Sequence, residues 1–122
     1  MFSDRLLNHF EHPRNAGELA GPTAVIEVSN PVCGDLLRLA VIVENGVVSE
    51  ARFLCRGCAA AIAGGSALTE KLVGRSAAEV QAIDAAAIAG ELGGLPPASF
   101  HAAQLAEDGA RAIAAKMQST GH

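Results

Sequence analysis

A chain of 122 residues has room for one hydrophobic core but not for two independent ones, so one domain over residues 1–122 is expected. The formal net charge of -4, the pI near 5.5 and the singly scattered Lys and Arg residues leave no basic stripe for nucleic acid. Half of the residues are apolar but only 3% are aromatic, so the core must come from small aliphatic contacts and close backbone approach.

Phe2, Leu6 and Phe10 recur at i, i+4 and i+8, which predicts a short amphipathic helix that Ser3 can cap. Pro13 and Gly17 end it, and a helix this short is expected to dock loosely. AVIEV at 24–28 reads as a strand, closed by SNP, and is followed by the hexapeptide NPVCGD at 30–35. Leu37, Leu39, Val41 and Val43 alternate on one face of the next strand, Asn45-Gly46 is a hairpin signal, and Val47, Ala51 and Phe53 line the returning strand. Helix is expected from about Cys58 to Gly74, with Gly64-Gly65 marking either a bend or a close backbone passage. Ser76 to Gln81 and Ala85 to Glu91 read as short helices, the second capped by Asp84. GLPP at 94–97 breaks the chain, and Ser99 opens a final helix whose buried stripe is Ala102, Ala106, Gly109, Ile113 and Met117. Strands first and helices after predict an α+β fold, a small three-stranded antiparallel sheet packed against helices, with an N-terminal helix and a long C-terminal one.

Groups that bind soft or borderline cations fall at the junctions between these elements. Cys33 and Asp35 share the hexapeptide loop, Cys58 stands at the first turn of the first long helix, and His101 lies in the first turn of the last. The helix N-terminus favours a thiolate at Cys58. Spacing alone does not bring the four together, and each has an ordinary alternative. Either cysteine can be a small core residue, Asp35 a turn residue bonded to its own backbone, and His101 a solvated helix-start residue. Cys55 and Cys58 spell CxxC, yet the pair spans a strand end, no second CxxC exists, and Cys55 shares the face of Phe53 as a core residue would. Three cysteines, an odd number, argue against a secreted disulfide framework. MFSDRLLNHF is unlike a signal peptide and CAAAIAGG is too short to span a bilayer, so a reduced cytoplasm, with no membrane, is expected.

Four ordered blocks, NHFEHPRNAG, NPVCGD with LLRLAVIV, ARFLCRGCAAAIAGGS and LPPASFHAAQLAEDGARAI, resemble the iron–sulfur cluster assembly scaffold family, the IscU-type proteins and the N-terminal domain of NifU. The resemblance covers nearly the whole chain. It implies a small bridged cluster assembled on three cysteines, with an aspartate beside the first and a histidine beside the third. On this chain those positions are Cys33, Asp35, Cys58 and His101, while the third cysteine position holds Ala102. The family's chaperone-recognition lysine is replaced by Ser99 in LPPAS, which argues against dependence on a dedicated chaperone. Phe2 stands at the aromatic position that the family uses in meeting a desulfurase. Zinc-dependent relatives that activate a desulfurase carry a long insertion between the second and third cysteine blocks. This chain is short there, which favours the scaffold branch.

The resemblance therefore implies a scaffold and carrier, not a classical enzyme. Sulfur would come as persulfide from a cysteine desulfurase, join iron and electrons, and pass to recipient apoproteins. The expected cargo is a [2Fe–2S] cluster or iron, with zinc able to occupy the same site. A zinc-containing sulfur-transfer partner or desulfurase activator is the alternative, since the same four residues would serve it.

Overall fold

The computed structural model of the chain describes residues 2–32 and 34–120. Its elements follow in chain order as helix α1 (Asp4–Glu11), strands β1 (Ala24–Asn30), β2 (Asp35–Glu44) and β3 (Val47–Arg56), then helices α2 (Ala59–Leu72), α3 (Ala77–Gln81), α4 (Ala85–Glu91) and α5 (Phe100–Thr120). A single 3-10 turn, Pro97–Ser99, leads into α5. The last helix thus begins one residue later than Ser99.

The three strands form an antiparallel meander in the order β1-β2-β3. Asn45 and Gly46 both have positive φ, 55° and 79°, as a two-residue hairpin turn demands. Leu37, Leu39 and Val41 point to the helices and are almost wholly buried. One expectation changes in β3. The register shifts between Ile42 and Val43, where the ladder takes up an extra residue on β3. Such a bulge flips alternation, so Val48 (1% exposed) enters the core and Val47 lies at the surface. The outer edge of β3 is not left open. Phe53 N–H donates to the Asn15 carbonyl and Gly17 N–H to the Phe53 carbonyl, so the HPRNAG loop covers that edge.

Close approach replaces large rings in the core. α5 lies across β1 and β2, and α2 on β3. A Cβ at Gly109 would stand 3.0 Å from Leu37 Cδ2 and 3.1 Å from Leu39 Cδ1, so that glycine lets α5 sit down on β2. At Gly65 a Cβ would fall 2.6 Å from the Phe53 ring. Gly64-Gly65 therefore marks close passage, and α2 continues through it without a break. The predicted stripe of α5 is buried, joined by Ala103, Leu105, Ala110 and Ala114.

The caps follow the sequence. Ser3 accepts from Leu6 N–H, Asp84 from Ala87 N–H, and Ser76 with Glu79 forms a full capping box. α1 is more firmly seated than expected. Leu6 is fully buried, Ser3 Oγ donates to the Leu92 carbonyl, and Arg5 pairs with Glu91 at 2.9 Å. Its buried stripe is Leu6 and His9, while Phe10 is 38% exposed. His9 is held by Ser66 of α2, whose Oγ lies 2.7 Å from Nδ1 and also accepts from Arg14 N–H.

Candidate metal centre

Three elements begin at one place. Asp35 opens β2 opposite Asn30, the final pair of the β1–β2 ladder. The turn before it is shaped by Gly34 at φ 74°, whose N–H donates to the Asn30 carbonyl, while Asn30 Oδ1 accepts from Val32 N–H. Cys58 is the N-cap residue of α2, with an extended backbone and no capping bond from its side chain. Its sulfur is thus free for other contacts at the N-terminus of a 14-residue helix. His101 is the second residue of α5, directly after the 3-10 turn.

Ligating atoms of Asp35, Cys58 and His101 all lie within 4.8 Å of one another. Cys58 Sγ is 3.6 Å from Asp35 Oδ2 and 3.8 Å from His101 Nε2, and Nε2 is 3.6 Å from Oδ2. Burial is graded: Asp35 is 5% exposed, His101 intermediate, Cys58 open. His101 Nδ1 lies 3.1 Å from the Ala98 carbonyl, which can only accept. In the neutral ring Nδ1 therefore carries the proton and Nε2 turns its lone pair to Cys58 and Asp35. Thiolate, imidazole and carboxylate together suit a tetrahedral borderline cation, with sulfur and nitrogen the preferred donors.

Of the four expected site residues, the structure brings Asp35, Cys58 and His101 together. The fourth, Cys33, lies outside the described residues. Ala102 offers no donor. It is 1% exposed and belongs to the hydrophobic core under α2. Cys55 pairs with Leu37 across the ladder, is partly buried, and packs against the core, as its shared face with Phe53 predicted. Burial pushes its thiol up to about 12, and the nearby charges of Asp35 and Cys58 push the same way.

A family model described as the NifU-like N terminal domain matches residues 1–120. The chain belongs to this family. Among its curated relatives, the iron–sulfur cluster assembly scaffold protein IscU 1 of Archaeoglobus fulgidus is 40% identical over 111 residues, covering 91% of this chain and 72% of that protein. The IscU scaffold protein of Azotobacter vinelandii is 40% identical over 115 residues, covering 91% and 89%. That of Escherichia coli K12 is 38% identical over 122 residues, covering 97% and 94%. A crystal structure of the N-terminal part of a NifU-like protein from Brucella abortus has the same fold, with a TM-score of 0.63 at 24% identity over 96% of this chain and 83% of that one. The described metal-ligand group of this NifU-like domain holds one thiol, one imidazole and one carboxylate, and lacks the family's triple-cysteine set.

Proposed function

We propose that this chain is a single-domain scaffold and carrier on which iron–sulfur clusters are assembled and from which they are passed to recipient apoproteins, with sulfur supplied by a cysteine desulfurase. The observation that carries the reading is the convergence of Asp35, Cys58 and His101 at the meeting point of a strand start and two helix starts. It is supported by relatives named as iron–sulfur cluster assembly scaffold proteins that cover nearly the whole chain. Cys33, one residue before Gly34 in the sequence, would complete a set of four donors. Four donors suit the terminal positions of a [2Fe–2S] cluster, the cargo we assign to the site.

Each residue has a distinct part. The Cys58 thiol, open to solvent at a helix N-terminus, is placed to meet a sulfur donor and to hold iron. His101 supplies nitrogen from a ring fixed by Ala98. Asp35 supplies a carboxylate oxygen from the buried side. Oxygen and nitrogen hold iron–sulfur clusters less tightly than thiolate does, so a set with fewer cysteines favours release, which a carrier needs. Such a site works with free thiols, as in the cytoplasm. The chain itself is not a classical enzyme, since it turns over no small substrate. With Ser99 in LPPAS, transfer is assigned to direct encounter with the recipient and not to a dedicated chaperone.

Anaerobic purification with metal and acid-labile sulfide analysis tests this reading. A brown protein with iron and sulfide in comparable amounts supports it. A colourless protein with stoichiometric zinc, which takes up no sulfide once the zinc is chelated, supports a zinc-containing desulfurase partner instead.

A further inference from the structure

We propose that Gly57 is a positioning residue, bare so that the Asp35 carboxylate can lie against it with a single oxygen turned to the metal position. This rests on reading Asp35, Cys58 and His101 as metal-holding residues. Gly57 is the one residue between β3, which ends at Arg56, and Cys58, the N-cap of α2. It sits just beyond the Leu36–Arg56 pair of the ladder, as Asp35 does on the facing strand. A Cβ at position 57 would fall 2.7 Å from both Cγ and Oδ1 of Asp35 and 3.1 Å from its Cβ. Those separations cannot coexist, so with any other residue at 57 one partner must move.

Backbone conformation does not explain the glycine. Gly57 is absent from the positive-φ residues, so another amino acid could adopt its backbone. Gly34, on the other side of Asp35, is the opposite case, with φ +74° and open space where a Cβ would stand. One glycine shapes the turn, and the other clears room for a carboxylate. The clearance divides the two oxygens of Asp35. Oδ1 lies on Gly57, whereas Oδ2 faces Cys58 Sγ and His101 Nε2, at 3.6 Å from each. The carboxylate is thereby offered through one oxygen, the mode that suits a four-coordinate ion. An added methyl would displace the end of one short side chain, not a helix, so the fold should tolerate Gly57→Ala better than the site does.

Cobalt(II) titration of the full chain under reducing, anaerobic conditions tests this, read from the thiolate-to-cobalt charge-transfer band and not from cluster assembly. Gly57→Ala is expected to remain folded by circular dichroism and to bind cobalt on the order of 10- to 100-fold more weakly, the usual loss when a supporting partner is disturbed. Asp35→Ala should also weaken binding, and adding Gly57→Ala to it should cause no further loss, because the carboxylate through which Gly57 acts is gone. Unchanged cobalt affinity in Gly57→Ala overturns the proposal, as does a loss that persists undiminished in the Asp35→Ala background. Should Gly57→Ala fail to fold, recovery of the fold in the double variant still supports a collision with Asp35, and failure of the double variant overturns it. A wild-type chain that binds no cobalt overturns the metal-site reading along with this one, whereas binding unaffected by Gly57→Ala overturns only the positioning role.

Discussion

The Ala98 carbonyl and His101 Nδ1, 3.1 Å apart, orient the imidazole of the candidate metal centre from within three residues of chain. Because a carbonyl only accepts, this contact leaves Nε2 as the free donor atom on the side of Cys58 and Asp35. His101→Ala should therefore lower cobalt or zinc affinity by on the order of a hundredfold or more, above the loss usual for outer partners alone. The melting temperature should change little, since the His101 side chain is 32% exposed. Calorimetric metal titration beside thermal unfolding separates the two effects.

Cys55 should behave as packing and not as a substitute third thiolate. Its thiol, pushed up to about 12 by burial, is protonated at neutral pH and reacts poorly. Cys55→Ala is expected to keep full metal stoichiometry and to cost on the order of 1 kcal/mol of stability. Cys58→Ala should abolish tight binding. Metal analysis of both variants after desalting decides the matter, and loss of metal from the Cys55 variant would contradict it.

Two helical glycines should respond oppositely to alanine. At Gly65 the new methyl would meet the Phe53 ring at 2.6–2.7 Å, and relief of that overlap should cost about 1–3 kcal/mol. At Gly90 in α4 nothing lies within 4 Å, so Gly90→Ala should stabilise by about 0.4–1 kcal/mol through the unfolded chain. Urea unfolding of the two variants in parallel measures both signs.

Acid should loosen the seat of α1 before it affects the carboxylates. Burial, followed by the Arg14 charge, holds His9 below its ordinary value of 6.5. Its folded pKa is thus lower than its unfolded one, and below 6.5 the unfolded chain binds more protons. The contribution is fully present above 6.5 and is lost as pH falls through the lower folded value. Glu79, Glu91 and Glu107 are held below 4.5 and lose theirs only in more acid solution. Thermal unfolding between pH 7.5 and about 5 should show a falling melting temperature that flattens in His9→Gln. An unchanged slope in that variant would assign the fall to other groups.

What the sequence discloses depends on how local the cause is. Asn45-Gly46, the Leu37-Leu39-Val41 alternation and the caps at Ser3 and Asp84 act within a few residues, and each appears where pattern places it. The bulge at Ile42/Val43 has no such signal, so alternation alone selects Val47 where the ladder buries Val48. His9 looks like a surface residue of α1 until Ser66, 57 positions away, gives its ring a partner inside. The site is legible in the same divided way. Asp35, Cys58 and His101 are marked by residue type at element junctions, but separations of 23 and 43 residues hide their meeting, which only the family resemblance anticipates. Gly57 carries no sequence sign beyond its place between strand and helix, because its meaning is the space it leaves for Asp35.

The most direct test is reconstitution. The chain, freed of metal by a chelator, is given ferrous iron, cysteine, a reductant and a cysteine desulfurase under anaerobic conditions, followed by an apo-ferredoxin. Wild-type protein should develop visible absorption, bind iron and acid-labile sulfide in comparable amounts and surrender both to the acceptor, and Cys58→Ala should not. Iron and sulfide bound by the wild type no better than by Cys58→Ala would contradict the scaffold account.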